Sequence, residues 1–355
     1  EKVIGIFKMV RLNTLVIRVD TNNKIGLGHF MRCRAFAQAW ARRGGNSIFV
    51  MAGASQIILK RLVSEDIQVE LLDSPVDEIG YINKIGDQNS AEWLIIDGYQ
   101  FGAEYIQALK QRSWKILLID DGVPLPYYPV DIILNQNQYV DESIYADKTD
   151  AKLLIGTHYA AVQEEFFRTR SWRRDFPNIG SKLLITFGGA DPNNNTMGII
   201  NSIIENCPGL LSEMDTRIII ASTNKQKPSV ENLVKYLENI QVFSDVQNMA
   251  DHIRWCDIVV SSAGYTVLEA SLYQTPMILI PNSNNEKQLA SKMNEIGASI
   301  VFMDLQEPNC HLIVNLICKL LKDGDKRKQL GKAAGRLVDG NGTSRVIDEM
   351  LNLSK

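Results

Sequence analysis

The sequence carries no excess charge of either sign: 38 Lys+Arg stand against 41 Asp+Glu, a formal net charge of −3. Without a global positive field, a nucleic acid has nothing to be drawn to, and a nucleic-acid partner is not expected. Cysteine is scarce as well. Its copies, Cys33, Cys207, Cys256, Cys310 and Cys318, are odd in number and never form C-x-x-C. That excludes a disulfide framework or zinc knuckle as the organising device, and a reducing cytoplasm fits best. His158, His252 and His311 lie far apart without metal-ligand spacing, so no zinc site is expected. Long apolar runs are missing. Arg217-Ile-Ile-Ile-Ala and Pro276-Met-Ile-Leu-Ile fall far short of the ~20 residues that span a bilayer, so no membrane insertion is expected. The opening Lys2-Val-Ile-Gly-Ile-Phe-Lys8 lacks the longer apolar core and cleavage site of a signal peptide and reads as an extension or first strand. The absence of G-x-x-x-x-G-K-[ST] excludes a P-loop NTPase.

What is present points to an ordinary folded chain of 355 residues, 45% hydrophobic and 22% charged. That length suits about two domains with sizeable cores. Short β-branched runs at 15–19, 47–51, 69–72, 93–97, 115–120, 131–135 and 152–155 alternate with helical stretches, the signature of parallel strands with crossover helices. A charged amphipathic stretch at 163–175 and the breaker Phe176-Pro-Asn-Ile-Gly180 interrupt the pattern. It restarts at 182–187 and continues at 217–221, 240–243, 258–261, 277–281 and 299–303. The expected organisation is an extension at 1–13, an α/β domain at 14–175, and a second at 176–355 that includes helical tail segments. Both are doubly wound and Rossmann-like, and the cleft between the carboxyl ends of their sheets is where ligands bind in such folds.

Three segments, each a strand, a glycine-bearing loop and a helix, could carry chemistry. In Arg18-Val-Asp20-Thr-Asn-Asn-Lys-Ile-Gly26-Leu-Gly28-His29-Phe-Met-Arg32, the helix follows from Phe30, Cys33, Ala37 and Trp40 sharing a face. His29 then opens its first turn, with Arg32 beside it at i+3. A histidine can take a proton from water, and a carboxylate such as Asp20 could orient it; the bland alternative is a helix-start histidine beside a glycine turn. The second segment, Phe187-Gly188-Gly189-Ala-Asp191-Pro, offers paired glycines that let backbone N–H groups approach an anion, or else a turn capped by Asp191. The third, Ser261-Ser262-Ala-Gly264-Tyr-Thr266-Val-Leu-Glu269, places a carboxylate one turn into a helix, where it can bind both hydroxyls of a ribose. There the competing account is a capping box between Thr266 and Glu269. Asp97 and Tyr99 end another strand at the cleft edge, read from sequence as turn residues. The Asn282-Ser-Asn-Asn285-Glu-Lys-Gln288 loop is polar enough to read sugar hydroxyls.

Together these segments resemble the UDP-2,4-diacetamido-2,4,6-trideoxy-β-L-altropyranose hydrolases of pseudaminic acid biosynthesis, relatives of the MurG-type glycosyltransferases with the GT-B fold. The resemblance runs from about Leu15 to Leu337 and rests most on Arg18-Val-Asp20 with Gly26-Leu-Gly28-His29-Phe-Met-Arg32, and on Phe187-Gly-Gly-Ala-Asp-Pro-Asn. It implies a UDP-sugar substrate, His29 as catalytic base and Glu269 at the uridine ribose, while Asp20 is the carboxylate expected beside that base from the residues themselves. It also implies Asn285 and Gln288 near the sugar or diphosphate. Gly28, Arg32, Asp97, Tyr99, Gly188, Gly189, Ser262, Gly264 and Thr266 complete the expected binding set. No cofactor is implied; Mg²⁺ could assist, but no carboxylate cluster demands it.

Overall fold

A computed structural model of the chain describes residues 13–21, 27–72, 77–122, 125–189, 191–303 and 310–354. The extension expected at 1–13 and the loop containing Gly26 lie almost wholly outside these. The first half runs β1 (Leu15–Val19), α1 (Gly28–Arg42), β2 (Ser47–Met51), α2 (Gln56–Ser64), β3 (Gln68–Leu71), α3 (Glu78–Gln88), β4 (Trp93–Asp97), α4 (Ala103–Leu109), β5 (Lys115–Ile119), β6 (Ile132–Asn135) and β7 (Lys152–Ile155). Among the described residues these strands form one parallel sheet in the order β3-β2-β1-β4-β5-β6-β7. Strands such as β1, β2 and β4 are buried along their whole length, which is why they read as continuous apolar runs rather than alternating ones.

After α5 (Glu164–Arg168) the second half runs β8 (Lys182–Thr186), α6 (Asn195–Asn206), α7 (Leu210–Glu213), β9 (Asp215–Ile219), α8 (Lys227–Val234), β10 (Ile240–Phe243), α9 (Met249–Trp255), β11 (Ile258–Ser261), α10 (Thr266–Leu272), β12 (Met277–Leu279), α11 (Asn284–Glu295), β13 (Ile300–Val301), α12 (Cys310–Leu321), α13 (Gly324–Ala334) and α14 (Gly342–Leu353). Its sheet is also parallel, ordered β10-β9-β8-β11-β12-β13. In both sheets the chain reverses its winding beside the first strand, between β1 and β4 and between β8 and β11. Those switch points are where the crevice for a ligand opens.

Two departures from the sequence pattern matter. The tail does not stay with the second domain: Val346, Ile347 and Met350 of α14 sit in the core formed by β1, β2, β4 and α1. Conversely Ala160, Val162 and Phe166 are buried in the second core with Tyr273 and Leu272. The chain therefore crosses between domains twice. The charged stretch at 163–175 forms only the short α5, because Phe166 is spent on the second core and the following residues turn back along it. The crossings meet at Gly342, where an added Cβ would lie 2.2 Å from the Ala160 carbonyl oxygen and 2.6 Å from its nitrogen. Gly342→Ala is expected to destabilise the protein by about 3 kcal/mol, since backbone on both sides leaves no side chain to move aside. Gly198→Ala, in open space within α6, should stabilise by about 0.5–1 kcal/mol through helix propensity. Urea unfolding of the two variants checks this opposition.

Candidate active site

Asp97, the last residue of β4, is completely buried. A buried carboxylate is tolerated only with compensating donors, and α1 supplies them. His29 Nδ1 lies 2.6 Å from Asp97 Oδ1, and Arg32 donates from Nε to Oδ2 and from Nη2 to Oδ1, each at 2.6 Å. Arg32 then reaches Asp121 with two further bonds of 2.8 Å. Arg32 Nη2 also approaches His29 Nδ1 at 2.9 Å. A guanidinium cannot accept a hydrogen bond and an ionised carboxylate cannot donate one. The consistent assignment has both nitrogens donating to Asp97 Oδ1, with the His29 proton on Nδ1 and Nε2 left as the basic nitrogen. Burial pushes the Asp97 and Asp121 carboxyls up, but Arg32 and His29 overcome it and hold both below their ordinary range. Tyr99 donates to Asp121 Oδ2 at 3.2 Å and sets its ring edge-on against the imidazole, centroids 4.9 Å apart.

Asp20 is not part of this cluster. Its carboxylate pairs with Arg18 and accepts from the Ala52 N–H at 2.7 Å and Gln100 at 2.8 Å. The orienting carboxylate expected from its nearness in sequence is supplied instead by Asp97, 68 residues from His29. Nor is Asp97 a turn residue. It ends β4 beside β1, and α1 follows β1, so the topology brings the two together.

The cleft between the domains holds a cavity of about 770 Å³. Gly28, His29, Arg32, Tyr99 and Asp121 line it from the first domain; Gly188, Gly189, Ser262, Gly264, Thr266, Glu269 and Asn285 line it from the second. Gly188 adopts φ +71°, a conformation suited to glycine, and Gly189 would bring a Cβ to 3.5 Å of Leu27 across the cleft. Asp191 fulfils the capping account: its carboxylate accepts from the Asn195 and Thr196 N–H groups at 2.9 and 3.0 Å, so the start of α6 is already satisfied. By contrast no side chain caps α10, which opens onto the cavity.

Two expectations are corrected here. The capping box is not formed, for Glu269 reaches no N–H at the start of α10; its Oε1 accepts from Gln163 Nε2 at 3.4 Å. Gln288 is exposed and lies outside the cavity wall, because on α11 it falls away from the face that carries Asn285, Glu286 and Leu289. Glu286 takes the cleft position, accepting from the Asn282 N–H at 2.6 Å. Sequence reasoning also missed Asp121, Gln163 and Glu286. For Asp121 a signal existed, a carboxylate pair directly after a buried strand; Glu286 lay within the polar 282–288 loop already singled out, and for Gln163 there was none. Among the described residues no three His, Cys, Asp or Glu side chains gather as metal ligands, and no helix is long and apolar enough to cross a membrane.

Two parallel-sheet α/β domains that face a cleft at both switch points have the GT-B fold. Residues 195–346 match the glycosyltransferase family 28 C-terminal domain. The resemblance read from the motifs is upheld by a relative of that kind. The UDP-2,4-diacetamido-2,4,6-trideoxy-beta-L-altropyranose hydrolase of Campylobacter jejuni is 25% identical over 81% of this chain and 98% of its own length. A protein of Methanocaldococcus jannaschii named only as uncharacterized is 19% identical over 77% of this chain, which spans just 57% of it. Among solved structures, Acinetobacter baumannii MurG superposes with a TM-score of 0.60 at 13% identity, covering 96% of this chain and all of that one.

Burial pushes the Glu269 carboxyl up, the neighbouring Glu165 adds to it, and Arg34 opposes both without cancelling them. A carboxyl whose folded-state value is raised costs stability progressively as pH climbs above its ordinary range near 4.5. Glu269→Gln is therefore expected to raise Tm at pH 8, with the gain shrinking toward pH 4.5. A capping role predicts the opposite sign, and thermal melts across that range decide.

Proposed function

We propose that this chain is a nucleotide-sugar hydrolase. Water attacks the anomeric carbon of a UDP-linked 2,4-diacetamido-2,4,6-trideoxy sugar, the C–O bond to the diphosphate breaks, and UDP and the free, inverted sugar leave. The observation that carries this reading is the 2.6 Å His29–Asp97 pair at the wall of the cleft. With Nδ1–H committed to Asp97, Nε2 takes the proton from water, and the buried carboxylate stabilises the imidazolium that forms. Arg32 keeps Asp97 ionised for that role.

The leaving group asks less of the protein. UDP is a weak base, and its developing charge is met by backbone donors of the Gly264–Thr266 turn and of Gly188–Gly189. Glu269 presents two acceptor oxygens to the two ribose hydroxyls. Ser262, Gly264, Thr266 and Asn285 line the wall between nucleotide and sugar, and Glu286 adds an acceptor there. No step requires a cofactor. The match to a relative named as a hydrolase, over 81% of this chain and 98% of that relative, supports the reaction.

Incubation with a panel of UDP-sugars and no acceptor is expected to release UDP and free sugar, with ¹⁸O from labelled water appearing in the sugar. His29→Ala should lower kcat by about 10²–10⁴ with UDP affinity nearly intact. Asp97→Asn should also lower kcat, by placing the His29 proton on the wrong nitrogen. Label in UDP would mean attack at phosphorus and end the assignment of His29. Turnover only with an added alcohol acceptor would make the protein a transferase.

A further inference from the structure

Gln163 is completely buried on the segment that crosses between the domains. Its amide joins two charged groups from opposite sides of that crossing. Arg34, on the helix that carries His29, donates from Nη1 to Gln163 Oε1 at 2.5 Å, and Gln163 Nε2 donates to Glu269 Oε1 at 3.4 Å. The direction of this relay is fixed by chemistry. Arg34 can only donate, so the amide oxygen must face it and the NH₂ must face Glu269. The guanidinium cannot turn away either, because Glu65 accepts from its other nitrogens, including Nε at 2.9 Å. The segment itself is pinned by Gln38, which accepts from the Glu164 N–H at 2.8 Å.

We infer that Gln163 is a positioning residue for the nucleotide: it holds the Glu269 carboxylate in the orientation that receives the ribose, and anchors it through Arg34 to the helix bearing the base. The inference rests on the ribose assignment of Glu269 made above. Glu269 faces a second carboxylate, Glu165 on α5, and the Arg34 cation. Gln163 Nε2 donates directly to it, which fixes the rotation of the carboxyl plane, and in its ionised form the carboxylate offers acceptors to both hydroxyls. Since a carboxylate has about four acceptor directions, the relay and a ribose fit together without competing. The relay also spans the domain boundary, so nucleotide held by the second domain is registered against the first, where the base resides.

A buried amide could instead serve packing alone, and a coupling measurement separates the two roles. UDP affinity is measured by calorimetric titration in the native protein, Gln163→Met, Glu269→Gln and the double variant. If Gln163 acts through Glu269, Gln163→Met weakens UDP about tenfold in the native background, the loss of one hydrogen bond to a charged group. It should then have less than about a twofold effect once Glu269 is already Gln. Gln163→Glu provides a second arm. It preserves the shape and the bond from Arg34, hence the fold, but turns an acceptor toward Glu269; it should weaken UDP strongly in the native background and little beside Glu269→Gln. For both variants KM for the sugar nucleotide should rise while kcat changes little. Equal losses in the two backgrounds would overturn the positioning role and leave the ribose assignment standing. Unchanged UDP affinity in Glu269→Gln would overturn both.

Discussion

Burying Asp97 at the end of β4 is the constraint around which the first domain is arranged. A carboxylate with no exposure must be matched by donors at close range, and here Arg32 and His29 provide three contacts of 2.6 Å. Arg32 in turn needs a second anion, which Asp121 supplies from the end of β5. The polar demand of one strand terminus thus fixes the first turn of α1, the tautomer of His29 and the position of Tyr99. A site of this kind is oriented before any ligand arrives, because its members are held by each other and not by substrate.

The second domain follows a different physical logic at the equivalent place. Its loops are built of glycine, serine and asparagine, which present backbone rather than charge, and the start of α10 is left without a side-chain cap. The start of α6 is closed off by Asp191. At the start of α10 the Val267 and Leu268 N–H groups turn back to the Gly264 and Tyr265 carbonyls instead. Glu269 stands apart as a carboxylate held buried at a cost, among Glu165, Arg34 and Gln163.

The domains are joined more intimately than a flexible linker would allow. The crossing segment places Phe166 in the second core, stacked on Tyr273, while α14 returns to pack on α1. Arg42 and Arg170 both lie over the Phe167 ring, at 3.8 and 4.0 Å, and Arg61 donates across the cleft to the Val246 carbonyl at 2.7 Å. Helix α1 is consequently buried nearly all round, although its sequence shows a single apolar face. Its buried arginines are the compensation: Arg32 and Arg34 carry charge inward because carboxylates from other elements meet them.

By itself the sequence determined the elements and the class. Thirteen strands were placed to within a few residues; the central ones, such as β1, β2, β4 and β11, are covered on both sides, and burial on two faces leaves them no polar position to blur the pattern. Glycine loops after strands marked the cleft for the same local reason. What lies between distant segments was decided only by the tertiary structure. Asp20 is nine residues from His29 in sequence, yet strand β1 directs it to Arg18 and Gln100. Asp97 is its partner because β4 pairs beside β1. Glu269 looked like a cap because its spacing from Thr266 is that of one, but the crossing segment brings Gln163 to it. Gln288 and Glu286 differ by two residues, and a helix turned by about 200° over that interval faces only one of them to the cleft. Local pattern records which residues must be buried; which charge each buried group meets is set by the order of the strands and the return path of the chain.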